Sequence, residues 1–215
     1  MNKIVLVFLV LFVSCGQKKK YHDVGGNLGA VQAIDPAIKS ILTFQENLNK
    51  EFRDPDVSPL PDRYRKDFEG LEFYEPDTNY IVTASLEFTP DSEPILMPTT
   101  TDRQTLERLY AIAHFQLNGK QHQLEIYQSL DLMEEEGYED YLFLPFLDET
   151  NGLETYGGGR YIDLRLPKGD TIIIDFNKAY NPYCVYNKKY SCPLVPRQNY
   201  MKTKVAAGVK DFKKH

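Results

Sequence analysis

The chain has 215 residues, a formal net charge of −6 and 42% hydrophobic residues. That length suits one hydrophobic core rather than two. The only basic cluster is Lys18-Lys19-Lys20, so the charge needed to neutralise a phosphate backbone is absent and nucleic acid is not expected as a partner.

Met1-Asn2-Lys3 is a short basic start, and Ile4 to Val13 is an unbroken apolar run. A helix crossing a bilayer core of ~30 Å needs ~20 such residues, so this run reads as the core of a secretory signal. It leads into Phe12-Val13-Ser14-Cys15-Gly16, where a small residue precedes a cysteine as in a bacterial lipobox, with Phe12 in the place usually held by leucine. The expectation is a signal peptide over 1–14, lipidation of Cys15 and a flexible tether over 15–33 carrying the lysines and Gly25-Gly26. The protein would then be exported and lipid-anchored in the cell envelope, facing the periplasm or the cell surface. One β-rich domain would follow over 34–215.

Asp35-Pro36 is a helix start, because the Asp35 side chain can accept from free N–H groups and proline loses nothing at the first helical position. Ile38, Ile41, Leu42, Leu48 and Phe52 follow at helical spacing, which predicts an amphipathic helix to about Arg53. Asp62 to Phe68 predicts a further helical turn. The period then changes to two. Tyr80 to Phe88 alternates as a half-buried strand, and Ile95 to Met97 is a short one. Leu109 to Leu117 and Lys120 to Tyr127 flank Asn118-Gly119, the strongest short-range hairpin mark. Tyr141 to Phe146, Arg160 to Leu166 and Thr171 to Phe176 complete the strands. The fold class expected is mainly β (α+β): an antiparallel sandwich or partly closed barrel with the helix packed on one side.

Cys15 aside, Cys184 and Cys192 form an even pair in an exported chain, and a disulfide is the expectation. The alternatives are free thiols or a zinc site. For zinc, Cys-x7-Cys offers no recognisable spacing with His114 and His122. The hairpin register puts those histidines on opposite faces, so they cannot share a metal, and no metal is expected.

The last third of the chain contains Leu144-Pro145-Phe146, Glu154 to Tyr161, Asp175-Phe176-Asn177, Ala179 to Cys184, Tyr186-Asn187 and Tyr190 to Leu194. By these strings it resembles the bacterial and archaeal family DUF1684. Upstream, Ser58-Pro59-Leu60 and Phe68-Glu69-Gly70-Leu71 look like the family's N-terminal marks. The chain departs at Val209, where such proteins tend to read glutamate. The resemblance implies no activity, cofactor or substrate.

Candidate site residues cluster in the same third. If Arg160 to Leu166 and Thr171 to Phe176 pair as a hairpin with an odd loop, Asp163 stands opposite Asp175. Opposed like charges should then recruit a cation, an arginine such as Arg160 or Arg165, or one shared proton. Gly157-Gly158-Gly159 is not followed by a helix and lacks a Gly-Lys-Ser/Thr ending, so it reads as a tight turn, not a phosphate cradle. Tyr156, Tyr161, Tyr180, Tyr183, Tyr186 and Tyr190, with Asn177 and Asn181, could stack on a sugar ring or a small planar ligand. The candidate pocket is therefore Tyr156, Arg160, Asp163, Asp175, Asn177 and Asn181, with no cofactor. The functional expectation is a small-ligand or sugar binding or accessory domain. A hydrolase using Asp163 and Asp175 is the alternative, although no nucleophile elbow or His-Glu-x-x-His run supports one.

Replacing the lipid-bearing cysteine tests the address. Cys15→Ser should abolish lipid labelling and move the protein from the detergent phase to the aqueous phase. Equal membrane retention of both forms would defeat the lipoprotein reading.

Overall fold

The computed structural model describes residues 34–212; the expected signal peptide, Cys15 and the tether lie outside them. Helix α1 runs Pro36–Arg53, with Pro36 in its first turn and the Asp35 carboxylate accepting from the Ala37 N–H at 2.7 Å. A one-turn helix α2 follows at Asp62–Arg65. Among the described residues no helix is long and apolar enough to cross a membrane.

The strands are β1 (Ile81–Phe88), β2 (Ile95–Pro98), β3 (Gln104–Leu117), β4 (Lys120–Ser129), β5 (Tyr141–Phe146), β6 (Arg160–Arg165) and β7 (Thr171–Asp175). They form one antiparallel sheet in the order β6-β5-β4-β3-β1-β7, with β2 also lying along β3. Of the two architectures expected, the structure is the partly closed barrel. β6 and β7 lie at opposite ends of the strand path, and only Leu166 to Asp170 joins them. Such a link reaches at most ~20 Å, whereas a flat six-strand sheet would separate its edges by ~24 Å. The sheet must curl. Both ends of the link are pinned, Leu166 N–H to the Asp140 carbonyl and Leu86 N–H to the Asp170 carbonyl, each at 2.8 Å.

The β3–β4 hairpin forms as its turn residues dictate. Asn118 and Gly119 take φ of 52° and 73°, the left-handed pair of a type I′ turn, and His114 pairs with Gln123 while Phe115 pairs with His122. A bulge at Tyr110 then reverses the parity of β3. Ala111, Ala113, Phe115 and Leu117 face the inside of the curl, whereas Leu109 joins an outer cluster with Tyr127, Tyr141, Phe143 and Tyr161. This is why β5 is buried at every position: Leu142, Leu144 and Phe146 point inward and Tyr141 and Phe143 point outward.

One end of the curl is closed by the C-terminal segment. Met201, Val205 and Ala207 enter the inner core. Arg160, on the inner face of β6, is fully buried and pairs with the buried Asp148 at 2.8 Å. Its guanidinium also donates to the carbonyls of Val205 at 2.9 Å, Val209 at 3.3 Å and Ala207. Asp148 accepts in addition from the N–H groups of Thr150 and Val205. Gly208 is required here: its φ is +77°, and a Cβ would lie 2.8 Å from the carbonyl oxygens of Phe176 and Ala179.

Arg160→Met and Asp148→Asn should each destabilise the domain by ~3 kcal/mol or more, because each strands a buried partner. Urea unfolding measures it. A loss under ~1 kcal/mol in both would show that the pair does not hold the C-terminal segment.

Candidate functional site

The expected hairpin of β6 with β7 does not form. β6 pairs with β5 and β7 with β1, so Asp163 stands opposite Phe143 and Asp175 opposite Ile81. Curling brings two sheet edges into succession along the chain, and each finds its partner elsewhere. The carboxylates are not opposed. Arg165, on the same face as Asp163, pairs instead with Asp140 at 2.6 Å and donates to the Gly137 carbonyl.

Other members of the expected pocket are scaffold. Arg160 is sealed in the inner core. Asp175 caps the 3₁₀ turn Phe176–Lys178 by accepting from the Asn177 N–H. Asn177 is buried and clamps Asp77, taking its N–H on Oδ1 and donating to its carbonyl, both at 2.9 Å. Asn181 is buried and donates to the Lys210 carbonyl at 3.0 Å. Tyr156 is half-buried beside the glycine turn, held through its carbonyl by the Asn151 amide.

Of the six, Asp163 lines a cleft of about 410 Å³ on the outer face of β5 and β6, which the other five do not reach. Its far wall is α1, which contributes Phe44, Leu48 and Glu51, one stripe at helical spacing. Its third side is the loop from Tyr180 to Pro193. That loop starts as an extra rung on β6, with Tyr161 and Tyr180 exchanging N–H···O bonds at 2.9 and 3.0 Å. It ends on β2, where the Leu194 N–H donates to the Pro98 carbonyl. The cleft is thus framed by segments far apart in sequence.

Tyrosines dominate its wall. Tyr138 with Tyr141, Tyr161 with Tyr180 and Tyr183 with Tyr190 pack as edge-to-face pairs, with ring centroids 5.6, 5.9 and 5.4 Å apart. At the floor, Asp163 Oδ1 accepts from Tyr141 Oη at 2.9 Å and Tyr180 Oη at 2.6 Å. The other oxygen, Oδ2, has no hydrogen-bond partner among the described residues. The residue is reachable by solvent yet walled in, and this desolvation raises its pKa while the two phenols oppose the rise. Burial, reinforced by the Asp163 charge, keeps both phenols in their neutral, donating form. Tyr183 donates to Glu51 and Tyr161 to the Pro193 carbonyl.

Cys192 lines the same cleft. The expected disulfide is not formed: Cys184 and Cys192 are free thiols in hydrogen-bond contact, with the Cys184 N–H donating to Cys192 Sγ at 3.2 Å. The hydrogen bond between the thiols shifts them apart: it pulls Cys184 down to about 6, and with burial it raises Cys192.

Phe44, Glu51, Tyr138 and Tyr141 were not singled out by sequence reasoning. Phe44 could have been found as an apolar residue lying off the main α1 stripe. Tyr141 becomes visible only when β5 is paired with β6, which places it on the face of Asp163.

Residues 66–210 match the family described as "Protein of unknown function (DUF1684)", and the chain belongs to that family. Among solved structures, it is similar to the solution NMR structure of an uncharacterised protein of Haloarcula marismortui. That likeness has 33% identity and a TM-score of 0.63, covering 80% of this chain and 92% of that one. No curated protein matches.

On the same outer face, Glu107 is 2% exposed and its Oε2 has no hydrogen-bond partner among the described residues. Burial raises its pKa from 4.5 to about 7, with the hydroxyls of Thr105 and Ser129 opposing in part. Below pH 4.5 the carboxyl is neutral whether the chain is folded or not. As pH rises through about 7 the unfolded chain is already ionised and the folded one must follow, so stability falls across that window. Glu107→Gln should remove ~3 kcal/mol of that pH dependence. Urea midpoints from pH 4 to 8 that fall equally in both forms would refute it.

Proposed function

We propose that this member of the DUF1684 family is a lipid-tethered protein of the cell envelope that binds a small ligand in the tyrosine-walled cleft. The observation that carries the reading is the convergence of three tyrosine pairs on a carboxylate with one unpartnered oxygen, in a concavity of about 410 Å³. Small-ligand sites are of that size, mostly apolar, with a few fixed polar groups. The walls are preorganised: each of these rings has an aromatic partner, and both phenols that reach Asp163 are fixed by hydrogen bonds. Little conformational entropy is left to lose on binding.

The tether supports the same reading. A lipid on Cys15 would hold the domain at a membrane surface, where it would meet envelope solutes or cell-wall fragments. A sugar is one ligand of this kind, since its ring can lie against a tyrosine face. Binding is preferred to the hydrolase alternative because Asp163 and Asp175, the carboxylates it invoked, are not opposed in the sheet.

Thermal unfolding of the processed protein with a panel of neutral sugars and small amines tests the proposal, because a ligand of the folded state must raise its midpoint. At least one class should do so, and Tyr183→Ala should abolish the shift. If every shift persists in both Tyr183→Ala and Asp163→Asn, binding lies elsewhere and the cleft is not the site.

A further inference from the structure

Resting on the reading of the cleft as a ligand site, we infer that its ligand is an organic cation, a small protonated or quaternary amine. The charge would sit on Asp163 Oδ2 and the apolar groups against the tyrosine rings.

The first ground is sign. Among the described residues the cleft is lined by two acids, Asp163 and Glu51, and by no lysine, arginine or histidine. Arg165, on the Asp163 face of β6, is held by Asp140 and the Gly137 carbonyl. Lys189 at the rim lies with its Nζ 4.8 Å from the centroid of Tyr190. An ammonium of the chain itself is therefore already seated on one ring of the wall. An anionic ligand would meet only repulsion at the floor.

The second ground is the supply of hydrogen bonds. The hydroxyls of Tyr141 and Tyr180 are spent on Asp163, that of Tyr183 on Glu51 and that of Tyr161 on the Pro193 carbonyl. Ser191 Oγ is shared with the Thr99 and Thr101 hydroxyls at 2.6 Å. The uncommitted donors are the hydroxyls of Tyr138 and Tyr190 and the Cys192 thiol, and the floor offers only the Asp163 acceptor and aromatic surface. A sugar presents donors and acceptors in equal measure and would find few donors for its own acceptors at that floor. An ammonium has no acceptors to satisfy. It needs a carboxylate oxygen and the negative face of an aromatic ring.

The third ground is the state of Asp163. Its direct hydrogen-bond partners are neutral phenols, and although it keeps solvent access, the surrounding walls raise its pKa against the pull of those phenols and of Arg165. A cation entering the cleft supplies the direct counter-charge that Arg165, held by Asp140, does not.

Isothermal titration calorimetry of the processed full-length protein tests this with choline, its neutral isostere 3,3-dimethylbutan-1-ol, and glucose. Choline should bind at least about tenfold more tightly than the isostere, and Asp163→Asn should erase that advantage. The amide keeps an oxygen for Tyr141 and Tyr180, and circular dichroism melting checks that the fold survives. Should Asp163→Asn fail to fold, Tyr190→Leu at the rim replaces it and should weaken choline more than the isostere. Equal binding of isostere and choline, or binding of glucose without choline, would overturn the cation and leave the cleft standing as a ligand site. No binding by any of the three, together with no shift from the wider panel, would overturn both.

Discussion

The buried Arg160–Asp148 pair is the constraint on which the arrangement depends. A guanidinium removed from water needs its donors answered and a lone carboxylate is not enough; of the three nitrogens of Arg160 only Nε has no partner among the described residues. Carbonyls two residues apart in an extended segment turn to the same side, and those of Val205, Ala207 and Val209 meet the planar fork of Arg160 together. One side chain of β6 therefore gathers the chain's last buried stretch, which single bridges from Val209 to Phe73 and from Tyr200 to Leu147 also hold. Gly208 lets that stretch press against the carbonyls of Phe176 and Ala179, which open the loop that walls the cleft. The inner face of β6 thus holds the C-terminal segment while its outer face carries Asp163.

A second constraint makes the outer face worth covering. The bulge at Tyr110 directs the first part of β3 outward, so Leu109 meets Tyr127, Tyr141, Phe143 and Tyr161 on a second apolar surface behind the main core. Such a surface must be shielded from water, and α1 and the 180–193 loop do so incompletely. The cleft is the gap they leave. Its polar floor follows from strand alternation: on β6 the outward residues are Tyr161, Asp163 and Arg165, so a carboxylate necessarily lies between a tyrosine tied to the loop and an arginine tied to Asp140.

Local signals in the sequence were legible. Asp35-Pro36 and Asn118-Gly119 set the helix start and the hairpin, because each acts over a few residues through capping or backbone sign. Partner choice was not legible for β6 and β7. The preference of successive strands for one another is overridden when the sheet curls and a short link bridges its edges. The same misreading displaced the site: Arg160, Asp175, Asn177 and Asn181 are polar residues near tyrosines in sequence, but each is spent on backbone groups that no local pattern reveals. Of the six tyrosines grouped in the sequence, four line the cleft, Tyr161 from β6 and Tyr180, Tyr183 and Tyr190 from the loop that follows, whereas Tyr186 packs with Phe52 and Tyr156 stands beside the glycine turn.

The strings that carry the family resemblance accordingly divide by physical role. Arg160, Asn177, Asn181 and Asp175 answer buried or capping backbone groups, and removing any of them would leave such groups unpaired. Tyr161, Tyr180 and Tyr183 hold ring surface toward a cavity, where a hydrophobic residue of equal size would serve packing as well but would lack a hydroxyl for Pro193, Asp163 or Glu51. Val209, the point of departure, lies in a cluster with Phe52, Leu60, Leu71 and Tyr186, where an ionised glutamate would need a partner. This chain has instead closed that end of the fold with apolar contact.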